Sequence, residues 1–140
     1  MEPDFSQPTF PPQGAAAELE RAAHGLLFPS ETDAPFEAFE WPVFELNPEQ
    51  LLENTGHPPD MAVSALDLDA FFAPACREAD WQEPRQRATA QRFQALLGTL
   101  KNALDEIKVY RVGGVEADVY IVGLNQEGTL SGLKTRIVET

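Results

Sequence analysis

The chain has 140 residues and a mass of 15.4 kDa, and is 43% hydrophobic and 24% charged. That composition suits one compact unit with a real core and lies outside the range of disordered chains. Its 23 acids against 10 bases leave a net charge of −13 at pH 7, which disfavours nucleic acid phosphates and anionic lipid as ligands, since both depend on clustered Lys and Arg.

Residues 1–14 contain Pro3, Pro8, Pro11, Pro12 and Gly14 and read as a flexible proline-rich tail ahead of one domain over 15–140. The run 15–28 sets Ala15, Leu19, Ala22, Ala23 and Leu26 at helical spacing and predicts a first helix, stopped before Pro29. A polar loop, Pro29-Ser30-Glu31-Thr32-Asp33, leads to an aromatic stretch over 36–44. As an extended strand this stretch places Phe39 and Trp41 on one side and Phe36 and Ala38 on the other. Asn47-Pro48-Glu49-Gln50 combines a capping residue, a proline at the first helical position and a Gln three residues past the cap, so a short helix is expected to about Asn54, ended by Gly56, Pro58 and Pro59.

Asp67 is placed to cap another brief helix through Phe72, interrupted by Pro74. The strongest periodicity lies in residues 82–104, where Phe93, Leu96, Leu97, Leu100 and Leu104 form one stripe of a long amphipathic helix. The period then changes to two. Ile107, Val109 and Arg111 alternate with Lys108, Tyr110 and Val112, Gly113-Gly114 marks a hairpin turn, and residues 115–124 alternate again. After a turn over 125–128, residues 129–140 predict a last strand with Leu133, Thr135 and Ile137 on one face. The fold expected is α+β, with helices covering a mostly antiparallel sheet.

The charge is unevenly placed. Residues 1–80 hold 16 acids and two bases, whereas residues 81–140 hold seven acids and eight bases. A basic partner or a cation fits this better than a polyanion. No apolar run approaches the roughly 20 residues that cross a bilayer, and Met1-Glu2-Pro3-Asp4 lacks the order of an export signal. A cytoplasmic protein without membrane contact is expected.

Little in the chain points to catalysis. His24 and His57 have no second His or Cys at ligand spacing, Cys76 has no defensible nucleophile context, and no phosphate-binding glycine loop or Gly-x-Ser-x-Gly elbow occurs. Asp67-x-Asp69 lacks the glycine and distant Glu of a calcium loop, with Phe71 and Phe72 where ligands would stand. A helix cap is the better reading. The expectation is a non-enzymatic protein with no cofactor.

Three stretches carry a resemblance. They are Leu26-Leu27-Phe28-Pro29-Ser30-Glu31-Thr32-Asp33 running into Pro35-Phe36-Glu37, then Phe71-Phe72-Ala73-Pro74 with Asp80-Trp81, then the segment from Ile107 through Asp118-Val119-Tyr120-Ile121-Val122-Gly123 and Gly132-Leu133-Lys134-Thr135 to Val138-Glu139-Thr140. In order and spacing over residues 15–140, the chain resembles the nuclease A inhibitor family of small acidic bacterial proteins. The resemblance implies an α/β/α sandwich like that of pathogenesis-related proteins. It also implies inhibition of a basic, non-specific, magnesium-dependent DNA/RNA endonuclease; with the acidic charge, the expectation is a monomer that binds no nucleic acid itself.

On that resemblance the partner contacts are Glu31, Thr32 and Asp33 in the loop, Asp80 with Trp81, and Glu139 with Thr140. Thr140 is the terminal residue that reaches toward the magnesium of the nuclease. Plainer structural roles for the same residues are a loop carboxylate for Glu31, a cap ahead of the long helix for Asp80 and a frayed end for Thr140. Ala34 stands where family members tend to have an aromatic. The alternative function is an acidic interaction or regulatory module of the same fold that binds a different basic partner.

Overall fold

The computed structural model describes residues 14–139; the segment 1–13 and Thr140 lie outside the described residues. The chain opens with helix α1 (Gly14–Ala23), which buries Ala16, Leu19 and Ala23. The helix is shorter than its apolar spacing predicts. Gly25 takes a left-handed backbone (φ 77°) and the amide of Leu26 donates to Ala23 O at 3.0 Å, so the chain turns there and His24 falls outside the helix. Leu27–Phe28 becomes a two-residue strand, β1, antiparallel to β2 (Ala34–Pro35).

Strand β3 (Glu37–Trp41) occupies part of the aromatic stretch and stops before Pro42, which has no N–H for a ladder. Its two sides divide as the alternation predicts: Phe36 and Ala38 pack on one core, Phe39 and Trp41 on another. Helix α2 (Pro48–Thr55) has the expected capping box, in which Gln50 N donates to Asn47 Oδ1 at 2.8 Å and Asn47 N donates to Gln50 Oε1 at 3.2 Å.

Two further features depart from the sequence reading. Residues Val63–Leu66 form an edge strand, β4, and helix α3 (Leu68–Cys76) runs on through Pro74 instead of being interrupted there. Asp67 caps α3 through Ala70 N at 2.9 Å. An interior proline costs a helix about 3 kcal/mol, but Phe72 is fully buried and Phe71, Ala75 and Cys76 pack against the same core, so burial on both sides of Pro74 holds the turn together.

Helix α4 (Pro84–Ala103) turns at Leu104 directly into β5 (Asp105–Gly113), followed by β6 (Glu116–Leu124) and β7 (Leu130–Val138). The five-stranded sheet has the order β3-β7-β6-β5-β4 with every neighbouring pair antiparallel. Gly132 is required where β7 crosses β6, because a Cβ there would collide with Ile121 O and with the Phe39 ring.

The sheet is buried on both faces. Val109, Ala117, Val119, Ile121, Leu133 and Ile137 meet Leu19 of α1, Phe72 of α3 and Phe93, Leu96 and Leu100 of α4. On the opposite face Tyr110, Val112, Tyr120, Val122 and Leu130 meet Leu51 and Leu52 of α2 with Phe39 and Trp41. The fold is a single α+β domain, a three-layer α/β/α sandwich with three helices on one face and one on the other. Among the described residues no helix is long and apolar enough to cross a membrane.

Candidate functional site

The loop 29–33 closes the β1–β2 hairpin, and Phe28 roots that hairpin in the core. Its ring stacks on Phe71 (centroids 4.3 Å, planes 2° apart) and meets Phe36, Phe72 and Phe93 edge-on at 6.1–6.3 Å. On the other arm, Thr135 Oγ1 of β7 donates to Pro35 O at 3.0 Å. The tip between these anchors exposes Glu31, Thr32 and Asp33.

Ser30 decides where that tip points. Its hydroxyl donates to Thr32 O at 2.7 Å and accepts from Thr32 N at 3.3 Å and Val138 N at 3.1 Å. The amide of Glu31 donates to Val138 O at 3.1 Å. Two hydrogen bonds therefore fasten the acidic loop to the last residue of β7.

One residue further, Glu139 N donates to Val115 O at 2.9 Å, which joins the β5–β6 turn to the same unit. That turn needs glycine at 113: φ is 123°, and a Cβ would lie 2.7 Å from Glu116 O. The half-buried Arg111 braces it, with Nη2 donating to Gly114 O at 2.7 Å, Nη1 to Gly113 O at 3.3 Å, and Nη2 lying 3.6 Å from Glu139 Oε1. Val115 at the tip is 53% exposed. The structure thus brings Glu31, Thr32, Asp33 and Glu139 together.

Asp80 and Trp81 belong to a separately built loop between α3 and α4. Arg87 donates to Asp80 O at 2.8 Å and to Ala79 O at 3.3 Å, and Gln82 bridges Ala79 N (3.0 Å) and Arg77 O (3.2 Å). Trp81 is 78% exposed. The cap of α4 is Glu83, whose N–H donates to Gln86 Oε1 at 2.8 Å, so Asp80 is not the capping residue.

Helices α3 and α4 are antiparallel: Lys101 Nζ meets Asp69 Oδ1 at 2.7 Å, while Glu78 accepts from Gln91 and Gln94 at 3.1 Å. These two bonds, that of Gln94 foremost, hold the exposed Glu78 carboxyl below its ordinary pKa. Because α4 leads straight into β5, the start of α4 and the β5–β6 turn face the same end of the molecule, as does the Glu31 loop tied to β7. Thr140 lies outside the described residues.

Other titratable groups serve the fold. His57 Nε2 lies 3.2 Å from Asp118 Oδ2 and 3.1 Å from Tyr120 Oη, linking the end of α2 to β6. Burial pushes the Tyr120 hydroxyl pKa up, against a lowering Thr55 hydrogen bond. Burial, with Asp69 adding, also pushes the Cys76 thiol up, which disfavours a reactive thiolate. Among the described residues no three His, Cys, Asp or Glu side chains are grouped to hold a metal.

Ser30, Arg111 and Val115 are the members of this end that sequence reasoning missed. An arginine two residues before a Gly-Gly turn carries some signal; a serine bonded 108 residues away carries none.

The family model of nuclease A inhibitor-like proteins matches residues 13–140. The chain belongs to the nuclease A inhibitor family. The match spans every element of the fold, including both loops of the candidate site. No curated protein matches the chain.

Proposed function

We propose that this chain is a non-enzymatic inhibitor that binds and blocks the active site of a non-specific, magnesium-dependent DNA/RNA endonuclease inside a bacterial cell. The observation that carries the reading is the fastening of an exposed acidic loop, Glu31-Thr32-Asp33, to the end of β7 at Val138 and Glu139. An endonuclease without sequence preference needs a basic groove for the phosphate backbone and a hard cation for the phosphate transition state. Carboxylates presented on a fixed loop substitute for phosphates in such a groove.

Each element has a role in this reading. Glu31 enters the basic site, Thr32 and Asp33 line its mouth, and Asp80 adds a second acidic contact. Trp81, largely exposed in the free protein, supplies an aromatic anchor of the kind that dominates interface energetics. Thr140, next in sequence after Glu139, supplies hard oxygen groups toward the magnesium of the nuclease, a cation that prefers such ligands. The inhibitor binds as a monomer, needs no cofactor and does not bind nucleic acid.

The test is a titration of nuclease A activity on plasmid DNA with the parent chain, Glu31→Gln and Glu2→Gln. Removing one member of a desolvated charge pair typically costs about 2–5 kcal/mol, whereas a peripheral charge changes mainly the association rate. Glu31→Gln is expected to weaken inhibition by at least about tenfold and Glu2→Gln by less than about twofold. Equal losses would leave only diffuse charge, as expected of an acidic module for a different basic partner.

A further inference from the structure

We propose that Ser30 is a positioning residue that makes the acidic loop and the end of β7 one presenting unit, so that Glu31 and the residues after Val138 meet a partner in a single fixed geometry. This rests on the reading of that end as the nuclease-binding surface, and deepens it.

A serine hydroxyl has one donor proton and two acceptor lone pairs. At Ser30 all three are in use: the proton goes to Thr32 O, and the lone pairs take the amides of Thr32 and Val138. The Thr32 bonds set the loop's own turn, and the Val138 bond sets the loop's position on β7. With Glu31 N donating to Val138 O, Val138 is held through both of its backbone groups by consecutive residues, 30 and 31.

The tie continues past β7. Glu139 N is bound to Val115 O, and Arg111 braces the turn that carries Val115. Loop, strand end and turn form a chain of contacts with Ser30 at its first link. The residues linked are exposed or half-buried, so water can replace the lost bonds when the hydroxyl is removed, and the global fold loses little. What is lost is preorganisation: the loop and the strand end must then be ordered against each other on binding, which weakens a complex without removing a contact.

The experiment compares the full chain with Ser30→Ala and Ser30→Thr, the latter keeping a hydroxyl. In native-state amide hydrogen exchange, Ser30→Ala is expected to speed exchange about tenfold at Thr32 and Val138, which lose their own bonds, and also at Glu31 and Glu139, which do not bond to Ser30. Amides of Ile121 and Leu133 in the core should stay at the parent rate, and Ser30→Thr should restore all four. Against nuclease A, the dissociation rate should rise about tenfold for Ser30→Ala and return with Ser30→Thr, with the association rate at low salt unchanged because the charge is unchanged.

Faster exchange confined to Thr32 and Val138 overturns the proposal, because loop and strand end are then independent. Parent-like dissociation of Ser30→Ala, while Glu31→Gln dissociates faster, also overturns it and leaves the inhibitor reading standing. If the parent chain does not bind nuclease A at all, the inhibitor reading falls for that enzyme, and the exchange pattern alone decides whether Ser30 couples the two segments.

Discussion

The Glu31 loop and the Asp80–Trp81 loop both expose acids toward one end of the sandwich, yet they are built in opposite ways. Residues 77–83 are held from nearby in sequence: Arg87 reaches Ala79 across eight residues, and the longest reach, from Gln94 to Glu78, spans 16. The Glu31 loop is held from across the molecule, by Val138 and Thr135 about 100 residues away and by Phe28 set among four other phenylalanines. Among the described residues, the Asp80–Trp81 loop depends on α3 and α4 and on no strand of the sheet. The loop closed by tertiary contacts is only as well ordered as the core and the strand end beneath it.

The largest effect that sharpens this contrast is expected at Phe28. Phe28→Ala removes a ring that is only 6% exposed and should cost about 3–5 kcal/mol of stability, read as a lower urea midpoint. It should loosen residues 30–33 while leaving 77–83 as ordered as in the parent at equal fraction folded. Equal loosening of both loops would break the comparison.

Trp81→Ala is the complementary case. With its ring largely in solvent, the substitution should change stability by less than about 0.5 kcal/mol, yet weaken inhibition of nuclease A about tenfold or more if Trp81 is an anchor. Parent-like inhibition by Trp81→Ala would confine the interface to the Glu31 side.

The smallest effect concerns pH. Hydrogen bonds from Gln94 and Gln91 hold the Glu78 carboxyl below its ordinary pKa. Its contribution is therefore fully present above the ordinary glutamate value and is lost as pH falls through the lowered one. A carboxyl-carbon titration by NMR should show Glu78 protonating at lower pH than an ordinary glutamate. In Gln91→Ala/Gln94→Ala that difference should shrink, the charge of Arg87 remaining, with no change in the exchange rates of residues 30–33.

The same division between local and distant contacts governed what the sequence revealed. The stripe through Phe93, Leu96 and Leu100, the capping box at Asn47 and Gln50, the cap at Asp67 and the Gly113-Gly114 turn all depend on residues within a few positions, and each was legible. Strand β4 was not: two half-buried and two exposed residues after Pro58 and Pro59 have almost no pattern, and they are a strand only because Val63 and Leu66 register against Val112 and Val109. The extra length given to the first helix has the same origin. Leu26 is buried as the spacing suggests, and Phe28 with it, but a glycine turn and the pairing of residues 27–28 with 34–35 deliver them, not a helix.

The candidate site followed the same rule. Glu31, Asp80 and Trp81 were singled out by family resemblance, because an exposed acid or tryptophan on a loop has no periodicity to betray it. Nothing near Ser30 in sequence points to Val138. That the acidic loop and the end of β7 form one unit became visible only in three dimensions.

The most direct test of the account is a footprint of the complex. Amide hydrogen exchange of the chain alone and bound to nuclease A should show protection at residues 30–33, 80–81, 113–115 and 138–139. The opposite end, where Gly14, Asn102 and Glu127 lie around one shallow cavity, should exchange at the free rate. Protection concentrated there, or on the α2 face around Phe44 and Lys108, with residues 30–33 and 138–139 unprotected, would contradict the account.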